Sequence, residues 1–64
     1  MLRFDNAFLC KNKKVGMQFT NKQGAIISVF HDGQQLRVSE DAKPQESEEA
    51  MRKYLLMHKR FKSH

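Results

Sequence analysis

The alternation of apolar and polar residues predicts extended strands over the first 38 positions of the chain. Segment 15–20 (VGMQFT) alternates strictly, which is the period-two pattern of a half-buried strand. Segment 25–30 (AIISVF) is rich in β-branched and aromatic residues, and segment 34–38 (QQLRV) alternates again. We therefore predict three or four antiparallel strands that follow one another as a meander.

Turn residues separate these segments. Gly24 suits the left-handed position that follows a type I turn, and Asp32-Gly33 between two apolar runs is a strong hairpin signal. Segment 2–9 (LRFDNAFL) is a further candidate strand. Regular alternation predicts that three of its apolar side chains share one face: Leu2, Phe4 and Phe8.

The pattern changes abruptly to a helical period after residue 38. Segment 39–43 is an acidic linker, and Pro44 suits the first position of a helix, where its missing N–H costs nothing. From there apolar side chains recur at spacings of three and four residues and form one stripe. Its members are Met51, Tyr54, Leu55, His58 and Phe61. We predict an amphipathic helix over residues 44–62.

Together these elements predict an α+β fold: a small antiparallel β-meander of three to four strands with one C-terminal α-helix packed on one sheet face. Residues 1–64 form a single small domain, divided into meander (1–38), linker (39–43) and helix (44–62). The expected core consists of Val15, Met17, Phe19, Ile27, Val29, Leu36, Val38, Met51, Tyr54, Leu55 and Phe61. Ile26 and Phe30 are left on the opposite sheet face, and Leu56 on the far side of the helix.

Charge is distributed in three blocks along the chain, which has a net charge of +5. Residues 1–38 hold six bases and two acids, a net +4. Residues 39–49 hold one base and five acids, a net −4, and residues 50–64 hold five bases and no acid, a net +5. Two basic blocks separated by an acidic one favour nucleic acid or another polyanion as a partner.

Neither an active site nor a metal site is indicated. Cys10 and His31 are the residue types of a thiol nucleophile and its base, but neither lies in a recognisable motif, so we expect a non-enzymatic protein. His31, His58, His64 and Cys10 lack metal-ligand spacing, so we expect no metal and no cofactor. The single cysteine excludes an intrachain disulfide. A single thiol is typical of a reducing compartment, and the chain has no apolar run near 18 residues. We therefore predict a cytoplasmic protein that does not enter a membrane.

Two short basic groups are the candidate nucleic-acid-binding residues. They lie in KNKK (11–14) and HKRFK (58–62), and their cations are Lys11, Lys13, Lys14, Lys59, Arg60 and Lys62. Electrostatic contact with phosphates, with little reading of bases, is the expected role. A purely structural role is the other interpretation, because bases near a helix C-terminus complement its dipole and a lysine-rich turn can protect a sheet edge.

A protein-interaction module is the alternative function. It would bind and inhibit another protein, an acidic one, through an edge strand or through Ile26, Phe30 and Leu56, which lack an obvious partner within the chain. The same apolar groups would serve a homodimer. A short basic chain that begins with Met1 and carries no family motif would also suit a small accessory or regulatory protein of a phage or mobile element.

Overall fold

The computed structural model describes residues 1–10, 13–33 and 35–62, the last two of them (61 and 62) by their backbone alone. The elements in chain order are β1 (Arg3–Leu9), β2 (Val15–Thr20), β3 (Ile26–Asp32), β4 (Gln35–Val38) and α1 (Pro44–Lys62). The strands form one antiparallel sheet in the order β1-β2-β3-β4, and α1 packs on one of its faces. The predicted fold class is confirmed.

The core lies between this sheet face and α1. Cross-strand pairing places Met17 opposite Val29 and Phe19 opposite Ile27, so four large apolar side chains point towards the helix. The buried hydrophobic residues of the described chain are Leu2, Met17, Phe19, Ile27, Val29, Ala50 and Tyr54. Since each large side chain contributes about 1.5–3 kcal/mol on full burial, this compact group is the main source of stability.

The start of α1 is fixed by side chains of its first turns. The Glu46 carboxylate accepts a hydrogen bond from the backbone N–H of Lys43 at 3.2 Å, which satisfies one of the free donors at the helix N-terminus. The same carboxylate accepts a bond of 2.9 Å from the Asn21 amide. Three residues further on, Glu49 accepts the Leu2 backbone N–H at 2.7 Å. The helix N-terminus is therefore tied to the β2–β3 turn and to the residue that precedes β1.

The predicted face of Phe8 is wrong. The β1–β2 register shifts between Phe4 and Asn6, so that one extra residue lies in β1. Phe4 pairs with Phe19 on the core face, whereas Phe8 pairs with Gly16 on the opposite face. A one-residue bulge reverses the alternation of every residue that follows it, which is why regular spacing misplaced this ring.

Leu55 does not belong to the core, contrary to the predicted stripe. Its side chain is 55% exposed, whereas Ala50 and Tyr54 are buried and Met57 packs against the buried cluster. Ala50, Tyr54 and Met57 follow the i, i+4, i+7 spacing, and Leu55 lies well away from that line around the helix. The sequence stripe was centred too far towards the β4 side of the helix because it passed over the small Ala50. The side chain of Phe61 lies outside the described residues.

Candidate nucleic-acid interface

The basic loop and the basic end of the helix lie at the same end of the domain. Because the strands are antiparallel neighbours, the β1–β2 and β3–β4 connections leave the sheet at one end, which we call the upper end. Helix α1 begins at the lower end, where Glu46 contacts Asn21 just after β2. It then runs upwards, because its Tyr54 hydroxyl donates a hydrogen bond of 2.6 Å to the Val15 carbonyl at the start of β2.

Tyr54 connects the two basic segments. Its hydroxyl bonds to the carbonyl of Val15, which directly follows Lys14. Its ring stacks on the ring of His58 with centroids 5.4 Å apart, and His58 directly precedes Lys59. The structure thus brings four of the predicted cations to the upper end, and all four are exposed. We call this set the basic end: Lys13, Lys14, Lys59 and Arg60. The predicted Lys11 and the side chain of Lys62 lie outside the described residues.

Lys13 has an unusual backbone conformation. Its φ angle is 59°, in the left-handed region that costs a non-glycine residue about 1–2 kcal/mol. The turn is closed by the Lys13 N–H donating to the Cys10 carbonyl at 3.0 Å and the Cys10 N–H donating to the Lys14 carbonyl at 2.7 Å. Glycine would fit this position with less strain than lysine.

Beside the basic end, β2 and β3 separate. Their pairing stops at Met17 and Val29. Beyond it the Val15 carbonyl accepts from Tyr54, while the His31 N–H donates to the Cys10 sulfur at 3.5 Å. The Tyr54 hydroxyl oxygen also lies 3.2 Å from His31 Nε2. Because the hydroxyl hydrogen is directed to Val15, this second contact requires a hydrogen on Nε2. Burial, with a smaller effect from Cys10, raises the pKa of Tyr54 above its ordinary value.

The candidate nucleophile and metal residues are placed as follows. Cys10 contacts the backbone N–H of His31, whereas the His31 ring contacts Tyr54, so the thiol and the imidazole do not form the pair that a thiol nucleophile needs. Among the residues that the structure describes, no group of three or more His, Cys, Asp or Glu side chains is placed to hold a metal ion. His64 lies outside them. Nor does any helix in the described ranges have the length and apolar character needed to cross a membrane.

The sheet face turned away from α1 carries two partly buried aromatic rings near the upper end. Phe8 on β1 pairs with Gly16, and Phe30 on β3 pairs with Arg37, and both phenylalanines line one groove of this face. The Phe8 ring lies over Gly16, since a Cβ there would come within 2.5 Å of two Phe8 ring carbons. Arg37 forms an ion pair of 3.2 Å with Asp32. We call this surface the open face.

The predicted protein-interaction residues are not brought together. Ile26 (52% exposed) and Phe30 lie on the open face, whereas Leu56 (61% exposed) lies on α1, which packs on the other side of the sheet. Sequence reasoning missed Phe8 on this face. Two signals pointed to it: the polar pair Asp5-Asn6, which interrupts the alternation of β1, and Gly16 inside a strand, which marks a close approach by another group.

No protein-family model, no curated protein and no solved structure matches this chain.

Proposed function

We propose that this chain is a non-enzymatic domain that binds nucleic acid at its basic end. The observation that carries the proposal is the hydrogen bond of 2.6 Å from Tyr54 to Val15, because it joins the lysine-rich turn to the C-terminal half of α1. Cations from two distant parts of the sequence therefore lie at one end of the domain. A charged surface of this kind attracts phosphates without requiring a pocket.

The opposite end of the domain has a different electrostatic character. There Glu48 lies 3.6 Å from Arg52, and Glu49 lies 3.5 Å from Lys53, so acids of the first turns are matched by bases of the next. Glu40 and Asp41 add negative charge in the segment that leads into the helix. Since α1 rises about 1.5 Å per residue, Lys59 lies about 20 Å along its axis from Glu46. Because Lys22 and Lys43 also lie at this end, its acids and bases nearly cancel, and a polyanion is attracted to the upper end rather than to the lower one.

Contact with phosphates is the expected role of the basic end. If each of the four cations contacts one phosphate and releases its counterion, a plot of the log of the binding constant against the log of the salt concentration would have a slope of up to about −3.6 on duplex DNA. The single thiol is typical of a reducing compartment, so we place this activity in the cytoplasm.

A salt series with matched charge variants tests the proposal. Binding to a labelled duplex is followed by fluorescence anisotropy between about 50 and 200 mM salt. The variant Lys14→Gln/Lys59→Gln is expected to lower the magnitude of the slope by about 1.8 and to weaken binding at every salt concentration. The control, Lys22→Gln/Lys43→Gln, removes the same charge from the lower end. Absence of binding at about 50 mM salt, or an equal loss in both variants, contradicts the proposal.

A second function, binding another protein through the edge strand β1, is favoured by one observation. Within the described residues α1 packs over β2, β3 and β4 and not over β1, which leaves Leu9 72% exposed and Phe4 partly exposed on a strand whose outer edge has no neighbouring strand. Edge strands with exposed apolar residues are templates for strand addition. Light scattering at increasing protein concentration tests self-pairing, and a mass increase that Leu9→Lys abolishes would support it. A strict monomer contradicts self-pairing.

A further inference from the structure

The open face reaches the turn of the basic end. On this face Phe8 and Phe30 line a shallow groove whose walls also include Ser28, Asp32 and Ser39. Cys10 lines the groove as well, and Cys10 begins the turn that carries Lys13 and Lys14. Two aromatic rings therefore line one groove that ends at the turn carrying the two lysines.

We infer that this surface binds single-stranded nucleic acid, with unpaired bases stacked on Phe8 and Phe30 and adjacent phosphates held by Lys13 and Lys14. The inference rests on the proposed function and names its substrate class. Bases stack on aromatic side chains irrespective of sequence, and cations that follow the backbone supply the remainder of the affinity. In a duplex the bases are already stacked and paired, so their faces are not offered to the rings.

The two rings offer separate stacking positions. Phe8 lies on β1 and Phe30 on β3, the strands that flank β2, and both line the groove. A Cβ at Gly16 would displace the Phe8 ring, two carbons of which lie within 2.5 Å of that position. The absence of a side chain at Gly16 thus leaves room for one edge of the Phe8 ring against the sheet beside the groove.

Charge favours a nucleic acid over a second copy of the chain as the occupant of this face. The cross-strand pairs place Arg3, Asp32 and Arg37 on it, and the carboxylate of Asp32 is already matched by Arg37. Arg3 is left as the net positive charge, and Lys13 and Lys14 of the adjoining turn add to it, so two copies packed face to face would bring like charges together, which disfavours association. A phosphate backbone complements these bases instead. It would run on the lysine side of the groove, away from Asp32.

The test separates stacking from charge. The probe is a labelled oligothymidylate of about 12 nucleotides, measured beside a duplex of equal length at one salt concentration. The variant Phe8→Leu/Phe30→Leu keeps apolar cover over Gly16 but removes both aromatic faces. It is expected to bind the single strand about tenfold or more weakly and the duplex as well as the wild type does. Ile26→Ala, on the same face below the groove, is the control and is expected to bind both probes normally. Far-UV circular dichroism confirms that each variant is folded.

The outcomes distinguish the two proposals. If the wild type binds both probes but the double phenylalanine variant keeps its affinity for the single strand, the inference fails and the proposed function stands. If the wild type binds neither probe, both fail. If the wild type is a dimer in solution that the same variant dissociates, the open face is a self-association surface and the inference is overturned.

Discussion

Replacement of Tyr54 by phenylalanine tests the contact on which the arrangement of the basic end depends. Tyr54 is 2% exposed, and its hydroxyl donates to the Val15 carbonyl at 2.6 Å while lying 3.2 Å from His31 Nε2. Tyr54→Phe removes one oxygen and keeps the ring in the core and against His58. The apolar burial is therefore nearly unchanged, and the measured difference reports the polar contacts.

The expected loss of stability follows from the lost hydrogen bond and from the Val15 carbonyl, which is left without its donor. A typical hydrogen bond contributes about 0.5–1.5 kcal/mol net, and a buried carbonyl left without a donor adds to this, so we expect a total of about 1–3 kcal/mol. Domains have free energies of unfolding of about 0.05–0.15 kcal/mol per residue, so the loss is a large share for a chain of this length. With about 4–8 °C per kcal/mol in a small domain, the melting temperature should fall by roughly 5–20 °C.

Urea denaturation followed by far-UV circular dichroism measures this loss. The midpoint should fall while the slope m stays unchanged, because the surface exposed on unfolding is the same. Leu55→Ala is the control, since its side chain is 55% exposed and the change should stay within about 0.5 kcal/mol of the wild type. A Tyr54→Phe variant as stable as the wild type, or a larger loss for Leu55→Ala, would refute both the contact and the assignment of the core.

Three further predictions follow from local contacts. Burial raises the pKa of Tyr54, so the folded state holds the phenolic proton more tightly than the unfolded state does. The free energy of unfolding should therefore fall as the pH rises above about 10. The tyrosinate absorbance reports this group alone, because the chain has one Tyr and no Trp. Lys13→Gly should raise the free energy of unfolding by about 1 kcal/mol, measured in urea, while lowering the magnitude of the salt slope on duplex DNA by about 0.9. The hydrogen bond from the Leu2 N–H lowers the pKa of Glu49, so Glu49→Gln should melt at a lower temperature than the wild type at neutral pH, and the difference should disappear as the pH falls below about 4.

The strands, the turns and the bounds of the helix could be predicted because each depends on local pattern. Strict alternation marks β2, Pro44 marks the first residue of α1, and Gly24 and Gly33 do have positive φ angles of 84° and 71°. These signals need only a few neighbouring residues. The α+β class follows from them, because an amphipathic helix after a meander has one sheet face on which to bury its apolar side.

Which side chains of the sheet and of the helix face the core, and which lie together at the basic end, could not be predicted from local pattern. The phase of β1 depends on a bulge at one residue, and no pattern in LRFDNAFL determines on which side of Asp5 the register shifts. Likewise, Leu55 and Met57 are equally good candidates on a helical wheel until the small Ala50 is known to face the sheet. The position of Lys14 at the same end of the domain as the C-terminal half of α1 depends on the long-range contact of Tyr54 with Val15.

Net charge alone would give the unfolded chain some affinity for polyanions, so the contribution of the fold must be measured at constant charge. The two double variants, Lys14→Gln/Lys59→Gln and Lys22→Gln/Lys43→Gln, each reduce the formal charge from +5 by two, to +3. A binding mode that depends on total charge responds equally to both. A mode that depends on the upper end responds to the first alone, and the difference between their salt slopes, about 1.8 at most, then measures how many phosphates Lys14 and Lys59 contact in the folded arrangement.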